Sequence, residues 1–479
     1  MTEFLLTLLS LLTGFLAALC TILCLMGLLR LVRSKAGYLP YIFYTSTFVN
    51  TLQLITLGRN LFESGESIEH SLTQVPTYMV TLVRVNSALI VFAACQRIAS
   101  QLIYSRSHPN LPILLTITFL FFFLTNVVTA ALLSSHPSFG YDYLYLVIVG
   151  TAALLFTQGE DEIAIRSARD AFFILLVISA SIAPWNPSFV FSKDYHEGLI
   201  PGLTYRYAGL APHPNTLGIF IVLFLLCLWN KPFSSRSINL FAWTIGYLSL
   251  LLAQSKTSWI VFIICMSCMG YFKHGDFLKQ RLFDFKRPIL PALFIFMTML
   301  TASIMLGIIM FGELGNKLNA FFSTRAGADL MSMTGRNQIW AIALTEWRNS
   351  PIFGYGLTIW DEAHRAKIGL PAAMSAHSQF YQTLSSAGIL GVAGLLIYVP
   401  TLFWFTLKTA KSSQGLTLAI FMMIFFRSIS EVSLAIIGHF GSNQLTHILL
   451  LMIIGAQLNS AGHQKPDPST KLFTSRDCN

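Results

Sequence analysis

The chain has 479 residues, of which 54% are hydrophobic and only 11% charged, and its mean hydropathy is +0.64. Soluble proteins carry roughly 25% charged residues, so these values exclude an ordinary water-soluble enzyme and indicate a chain that crosses a membrane repeatedly. The formal charge of +10 comes from Lys and Arg scattered between apolar runs, a distribution that sets membrane orientation and argues against nucleic acid as a partner.

Apolar stretches lie near 4–29, 38–57, 76–95, 111–133, 143–157, 171–184, 216–229, 240–254, 257–272, 289–311, 378–407, 416–432 and 440–458. A spanning helix needs roughly 20 mainly apolar residues, so the sequence predicts an all-α, polytopic integral membrane protein with about 12–13 transmembrane helices. The first stretch has no basic leading region, exceeds a signal-peptide core and is followed by Arg30, Arg33 and Lys35, so it reads as a retained helix. Alternate loops hold most of the basic residues: Arg30, Arg33 and Lys35, Arg97 and Arg106, Arg166 and Arg169, Lys231 and Arg236, Lys273 to Arg287, Lys408 and Lys411, and the tail. These belong in the cytoplasm by the positive-inside rule. The short loops with Arg59, Lys193, Arg206 and Lys256, and the long segment 312–377, then face outward. The expected organisation is N-terminal transmembrane helices over 1–199, central ones over 200–311, a large outer loop over 312–377, C-terminal helices over 378–459 and a cytoplasmic tail over 460–479.

Within the outer loop, Trp340, Ala343, Leu344 and Trp347 follow i, i+3, i+4, i+7 spacing, the stripe of a short amphipathic helix placed at the membrane interface. Six of the seven cysteines lie in or beside apolar segments, none in a candidate outer loop, so no disulfide framework is expected. Cys265-x-x-Cys268 falls in an apolar helix without a second ligand pair and reads as structural, not as a metal site.

Four polar constellations fall on the outward side. Arg206 precedes a Gly- and Pro-rich approach with His213, Asn215 and Gly218 at the entrance to an apolar span; an Asn or Thr cap there would present backbone N–H groups to an anion, with Arg206 beside it. Ser255-Lys256 makes a polar turn between spans, with Lys256 either a snorkelling interfacial residue or a ligand for an anion. Thr334-Gly335-Arg336 opens the amphipathic helix, and Gly354-Tyr355-Gly356 follows it. A cation in a first helical turn opposes the helix dipole, so Arg336 needs a partner, either an anionic substrate or Asp361 or Glu362. Finally, His377-Ser378 begins the next span, followed by a run holding Gly388, Gly391 and Gly394, of which Gly388 and Gly391 are spaced for close approach of another helix. Arg84 and the Arg427/Glu431 pair lie within spans; the latter are i, i+4 and read as a self-neutralising ion pair.

These four constellations, in this order over roughly residues 200–400, resemble the O-antigen ligase and polysaccharide polymerase family of bacterial envelope enzymes. The resemblance implies a multi-pass protein of the bacterial inner membrane with its active site facing the periplasm. Its reaction would be metal-independent and cofactor-free transfer of a glycan from an undecaprenyl-diphosphate donor to a sugar hydroxyl. Carried over, His377 is the base, Arg206, Arg336 and Lys256 bind the diphosphate, and His213, Asn215, Ser255, Ser378 and Tyr355 support them. Lys256 stands where members of the family often have Arg, a point charge in place of a bidentate fork. Asp194, Glu197, Asp329, Asp361 and Glu362 stay open as acceptor ligands or alternative bases. The chemistry agrees: fixed cations stabilise the charge that develops on a departing diphosphate, and a neutral His can take the proton of an attacking hydroxyl. The leading expectation is an O-antigen or exopolysaccharide polymerase acting on a glycan acceptor, with a chain-length regulator as a partner. The alternatives are a ligase using a lipid A core acceptor, a protein O-oligosaccharyltransferase and a lipid-linked oligosaccharide flippase.

Overall fold

The computed structural model describes residues 37–62, 75–104, 112–193, 203–282, 336–370 and 373–461, with isolated helical positions between 292 and 303. The expected span near 4–29, most of that near 289–311, the end of the tail, and Asp194, Glu197, Asp329, Thr334 and Gly335 lie outside the described residues.

Wherever an expected apolar stretch falls inside them, a helix is found. In chain order these are α1 (Ile42–Thr56), α2 (Thr77–Tyr104), α3 (Ile113–Leu133), α4 (Tyr145–Leu154), α5 (Glu160–Ile182), α6 (Pro214–Asn230), α7 (Arg236–Ala253) and α8 (Lys256–Leu282). The remainder are α9 (Arg336–Asn349), α10 (Glu362–Lys367), α11 (Gln379–Ala410), α12 (Leu416–Ser430) and α13 (Ser442–Ala461). Among the described residues, Thr77–Gln101, Ile113–Leu133 and Gln379–Ala410 are long and apolar enough to cross a membrane, and Tyr141–Leu154, Pro214–Asn230 and Leu416–Ser430 are shorter apolar helices. The protein is a helical membrane protein. One small departure from the all-α expectation is an antiparallel pair, β1 (Phe191–Ser192) with β2 (Arg206–Tyr207), which seats Ser192 opposite Arg206.

Two helices form the centre because their sequences have no polar face. Residues Leu217 to Leu228 of α6 and Leu445 to Ile454 of α13 are buried almost throughout, as a helix apolar all round must be. Helix α6 packs on α5 and α7, α13 on α4, and α12 on α8 and α11.

The glycines of α11 divide their work. Gly391 and Gly394 lie against a wide π turn of α3 at Leu124–Val128, where Asn126 Nδ2 donates to Gly391 O at 2.9 Å; the close approach expected of Gly388 and Gly391 is made by Gly391 together with Gly394. Gly388 instead breaks the helix, at φ +65° and ψ −161°. The backbone groups this frees are taken by the Pro351–Gly356 loop: Ile389 N donates to Pro351 O at 2.9 Å, Leu390 N to Ile352 O at 3.2 Å, and Tyr355 N to Ser385 O at 2.8 Å. A Cβ on Gly388 would stand 2.3 Å from Ile352 O, so backbone interlocks with backbone here.

Candidate functional site

The His377 turn is held from both sides. Helix α9 presents Trp340, Ala343, Leu344 and Trp347 inward while residues such as Asn337, Gln338 and Arg348 are exposed, so the expected stripe exists and packs on the start of α11. Trp340 stacks on Tyr381 at 4.8 Å between centroids, and its Nε1 donates to Ala376 O at 2.9 Å. Ala376 N donates to Gln382 Oε1 at 3.0 Å, and Gln382 N to Ser378 O at 2.9 Å. Ser378 is the buried N-cap residue of α11. Between these anchored neighbours His377 adopts φ +47°, a left-handed conformation that a residue with a Cβ takes only at a cost.

The His377 side chain, 32% exposed, meets a carboxylate just beyond the end of α12: Nδ1 lies 3.2 Å from Glu431 Oε2. Burial alone would raise the Glu431 carboxyl. The His377 hydrogen bond and the charges of His377, Arg427 and Arg336 outweigh burial and hold it below its ordinary value. An ionised carboxylate can only accept, so Nδ1 of His377 donates to Glu431, and in the neutral tautomer that makes this contact Nε2 keeps its lone pair.

Arg336 NH1 donates to Ser430 O at 2.7 Å, and NH2 lies 3.5 Å from Glu431 Oε1. Its expected partners Asp361 and Glu362 are therefore replaced by Glu431. The apparent conflict with the dipole of its own helix is resolved because the guanidinium caps the C-terminal end of α12, where a cation is favoured. The reading of Arg427 and Glu431 as a self-contained pair is also corrected. Helix α12 ends at Ser430, Glu431 is extended at φ −152°, and its carboxylate turns to His377 and Arg336. Arg427, 4% exposed, directs NH1 to Asn215 O at 3.4 Å.

Asn215 ties in the first constellation: its Oδ1 accepts from Arg206 NH2 at 2.8 Å, and Arg206 Nε donates to Ala253 O at 3.2 Å. The helix N-terminus expected there to receive an anion is closed. His213 is the N-cap, its Nδ1 accepting from Asn215 N at 3.1 Å; Pro214 has no N–H; and Thr216 N and Leu217 N both donate to His213 O. The His213 ring reaches solvent but protein crowds it, and desolvation with the charge of Arg206 outweighs the attraction of Glu431, pushing its pKa down to about 4. Arg59, absent from the expected site, positions this approach. It is 5% exposed and donates to Phe189 O, Ala211 O and Gly209 O, and no carboxylate pairs with it among the described residues.

One network thus joins Arg206, His213, Asn215, Arg336, His377, Arg427 and Glu431 from four distant segments. Other expected residues lie apart from it. Lys256 is exposed at the head of α8, just beyond Gln254, whose Nε2 donates to Tyr205 O at 2.7 Å, and Ser255 is buried with its Oγ 2.9 Å from Ser258 Oγ. Tyr355 belongs to a second cluster, its ring stacked 3.9 Å from His136 and its hydroxyl 2.9 Å from His364 Nδ1, while His364 Nε2 lies 3.4 Å from Glu346. Among the described residues no group of His, Cys, Asp and Glu is arranged to hold a metal ion.

Residues 240–396 match the family model described as O-antigen ligase, a stretch holding Lys256, Arg336, Tyr355, His377 and the Gly388 break, with Arg206, Arg427 and Glu431 outside it. No curated protein matches the chain. Residues 240–396 thus carry a domain of the O-antigen ligase kind, which supports a place for the chain in the O-antigen ligase and polymerase family and an enzyme of the general glycosyltransferase kind.

Proposed function

We propose that this protein transfers a glycan from an undecaprenyl-diphosphate carrier to a sugar hydroxyl at the periplasmic face of the bacterial inner membrane, as a polysaccharide polymerase. The observation that carries this reading is the His377–Glu431 contact of 3.2 Å set beside three arginines, Arg206, Arg336 and Arg427. Nε2 of His377 takes the proton of the acceptor hydroxyl as its oxygen bonds to the anomeric carbon. The carbon–oxygen bond to the diphosphate breaks, and the leaving group keeps the electron pair. Glu431 stabilises the imidazolium that forms, and the arginines stabilise the departing diphosphate, the task a metal ion performs elsewhere.

The name of the matching family model favours a second reading, in which the acceptor is a lipid A core and the protein is a ligase. Both are tested with purified protein and a labelled undecaprenyl-diphosphate-linked repeat unit. Chain growth without added core lipid supports the polymerase; transfer that needs core lipid supports the ligase. His377→Ala abolishes transfer with protein level and membrane insertion unchanged, and retained transfer by this variant would overturn the assignment of the base.

A further inference from the structure

Arg84 has no place in the network above. It lies on α2 seven residues after Thr77, so about 10 Å into a helix apolar enough to cross a membrane. Among the described residues it makes no hydrogen bond and no ion pair, and it is exposed. A guanidinium in such a position is costly unless something anionic meets it, and an intramembrane cation with no carboxylate or hydrogen-bond partner among the described residues points to an anionic ligand.

Its surroundings narrow that ligand. The Arg84 Cζ stands 5.6 Å from the centroid of the Tyr141 ring, which is 52% exposed. Tyr145 and His439 continue the wall, His439 lying 6.2 Å from Tyr141 and 5.7 Å from Tyr145, with its Nδ1 3.1 Å from Ser87 Oγ on α2. Burial and the charge of Arg84 hold His439 below its ordinary pKa, against the pull of Asp142, so Arg84 supplies the lasting positive charge. Asp142 is the nearby carboxylate and forms no ion pair with Arg84 within 4 Å. This cluster and the His377 network share one connection, the 431–441 segment. It begins with Glu431, holds His439 near its end, and is pinned by Leu434 N to Gln379 Oε1 at 2.9 Å and Asn443 Nδ2 to Val432 O at 2.8 Å.

We infer that Arg84, with Tyr141 and His439 as walls, is a second seat for a lipid-borne phosphate, holding the acceptor carrier while the arginines of the His377 network hold the donor diphosphate. This rests on the polymerase reading, in which donor and acceptor are both undecaprenyl diphosphates and two anionic headgroups must lie at one end of the bundle together. An aromatic wall beside the cation suits the sugar next to the phosphate, whose apolar face stacks on a ring.

The test counts bound carriers. Protein in nanodiscs of phosphatidylcholine is titrated with undecaprenyl diphosphate and examined by native mass spectrometry. The wild type binds two copies, Arg84→Lys two and Arg84→Gln one; because Arg84 is exposed and unbonded, neither variant disturbs folding. A single copy on the wild type, two on Arg84→Gln, or displacement of the Arg84-dependent copy by phosphatidylglycerol at comparable concentration overturns the second seat and leaves the transfer reading standing. No bound copy at all removes the transfer reading, and the second seat with it.

Discussion

Glu431→Gln separates the two jobs that converge on one carboxylate. The side chain is 17% exposed and meets His377 at 3.2 Å and Arg336 at 3.5 Å, with Arg427 one turn behind it in sequence. The glutamine amide can still accept from Nδ1–H, but its NH2 can equally donate to Nδ1, which moves the ring proton to Nε2 and disables the base. Positioned proton transfer is worth about 10²–10⁴-fold, and losing the fixed tautomer should forfeit the lower end of that range. We expect kcat to fall about 10²-fold, roughly 2.7 kcal/mol of barrier. The donor KM should move the other way. Removing the negative charge leaves Arg336 and Arg427 with a stronger positive field, so a diphosphate binds as tightly as before or more so. The assay is the initial rate of transfer by purified protein with the lipid-linked donor varied. A kcat near wild type, or a raised KM with kcat intact, would refute the dyad, because a merely structural Glu431 would not split the two constants in this sense.

Further outcomes follow from the same geometry. Arg336→Ala should raise the donor KM by about 10–100-fold with a smaller change in kcat, since a charge-assisted hydrogen bond contributes about 1.5–3 kcal/mol; competition by undecaprenyl diphosphate gives the same constant independently. Gly388→Ala forces a Cβ into φ +65° against Ile352 O and should cost about 2 kcal/mol or more, read as a lowered Tm in detergent. Arg59→Met leaves the carbonyls of Gly209 and Ala211 without their buried donor; we expect a destabilisation of about 2–3 kcal/mol and loss of activity through displacement of Arg206 and His213. His213, held near 4 when folded against 6.5 ordinarily, binds fewer protons in the folded state, so its contribution is complete above pH 6.5 and is lost as pH falls towards 4. The Tm should drop over that window, and His213→Gln should flatten part of the drop.

The helices were legible because apolar runs leave no alternative to burial, and α6 and α13 show this in its simplest form. The stripe of α9 is readable for the same reason, and Arg206, Arg336 and His377 stand out in the sequence as polar residues beside apolar spans, which the structure gathers into one network. Partners were not legible. Arg336 looked misplaced against its own helix because the field acting on it belongs to α12, more than 90 residues later, and sequence spacing carries no information about that meeting. In sequence Glu431 is the i+4 mate of Arg427, and the end of α12 between them is not marked by Gly or Pro. Asn215 looked like a helix cap and is a bridge between two arginines, since His213 and Pro214 had already closed the helix start.

The placement of His377 follows from two assemblies that meet edge to edge. On one side, α9, the Pro351–Gly356 loop and the first turns of α11 are bound to one another by the Trp340–Ala376 and Trp340–Tyr381 contacts and by the backbone interlock at Gly388. Both neighbours of His377 are fixed by this unit, so its left-handed backbone is imposed from outside and the ring cannot relax along α11. On the other side, Glu431, Arg427 and Asn215 hang from the ends of α12 and α6, and Arg206 reaches them from the strand pair. His377 and its carboxylate therefore belong to different assemblies, which meet through the 3.2 Å contact, through Leu434 N donating to Gln379 Oε1, through the packing of α12 on α11, and through Arg336, which is anchored in the first and caps the second. On the proposed function Arg336 would have a dual role: offering charge to a diphosphate and holding His377 in register with Glu431. The residual kcat effect of its loss measures the second role, and the KM effect measures the first.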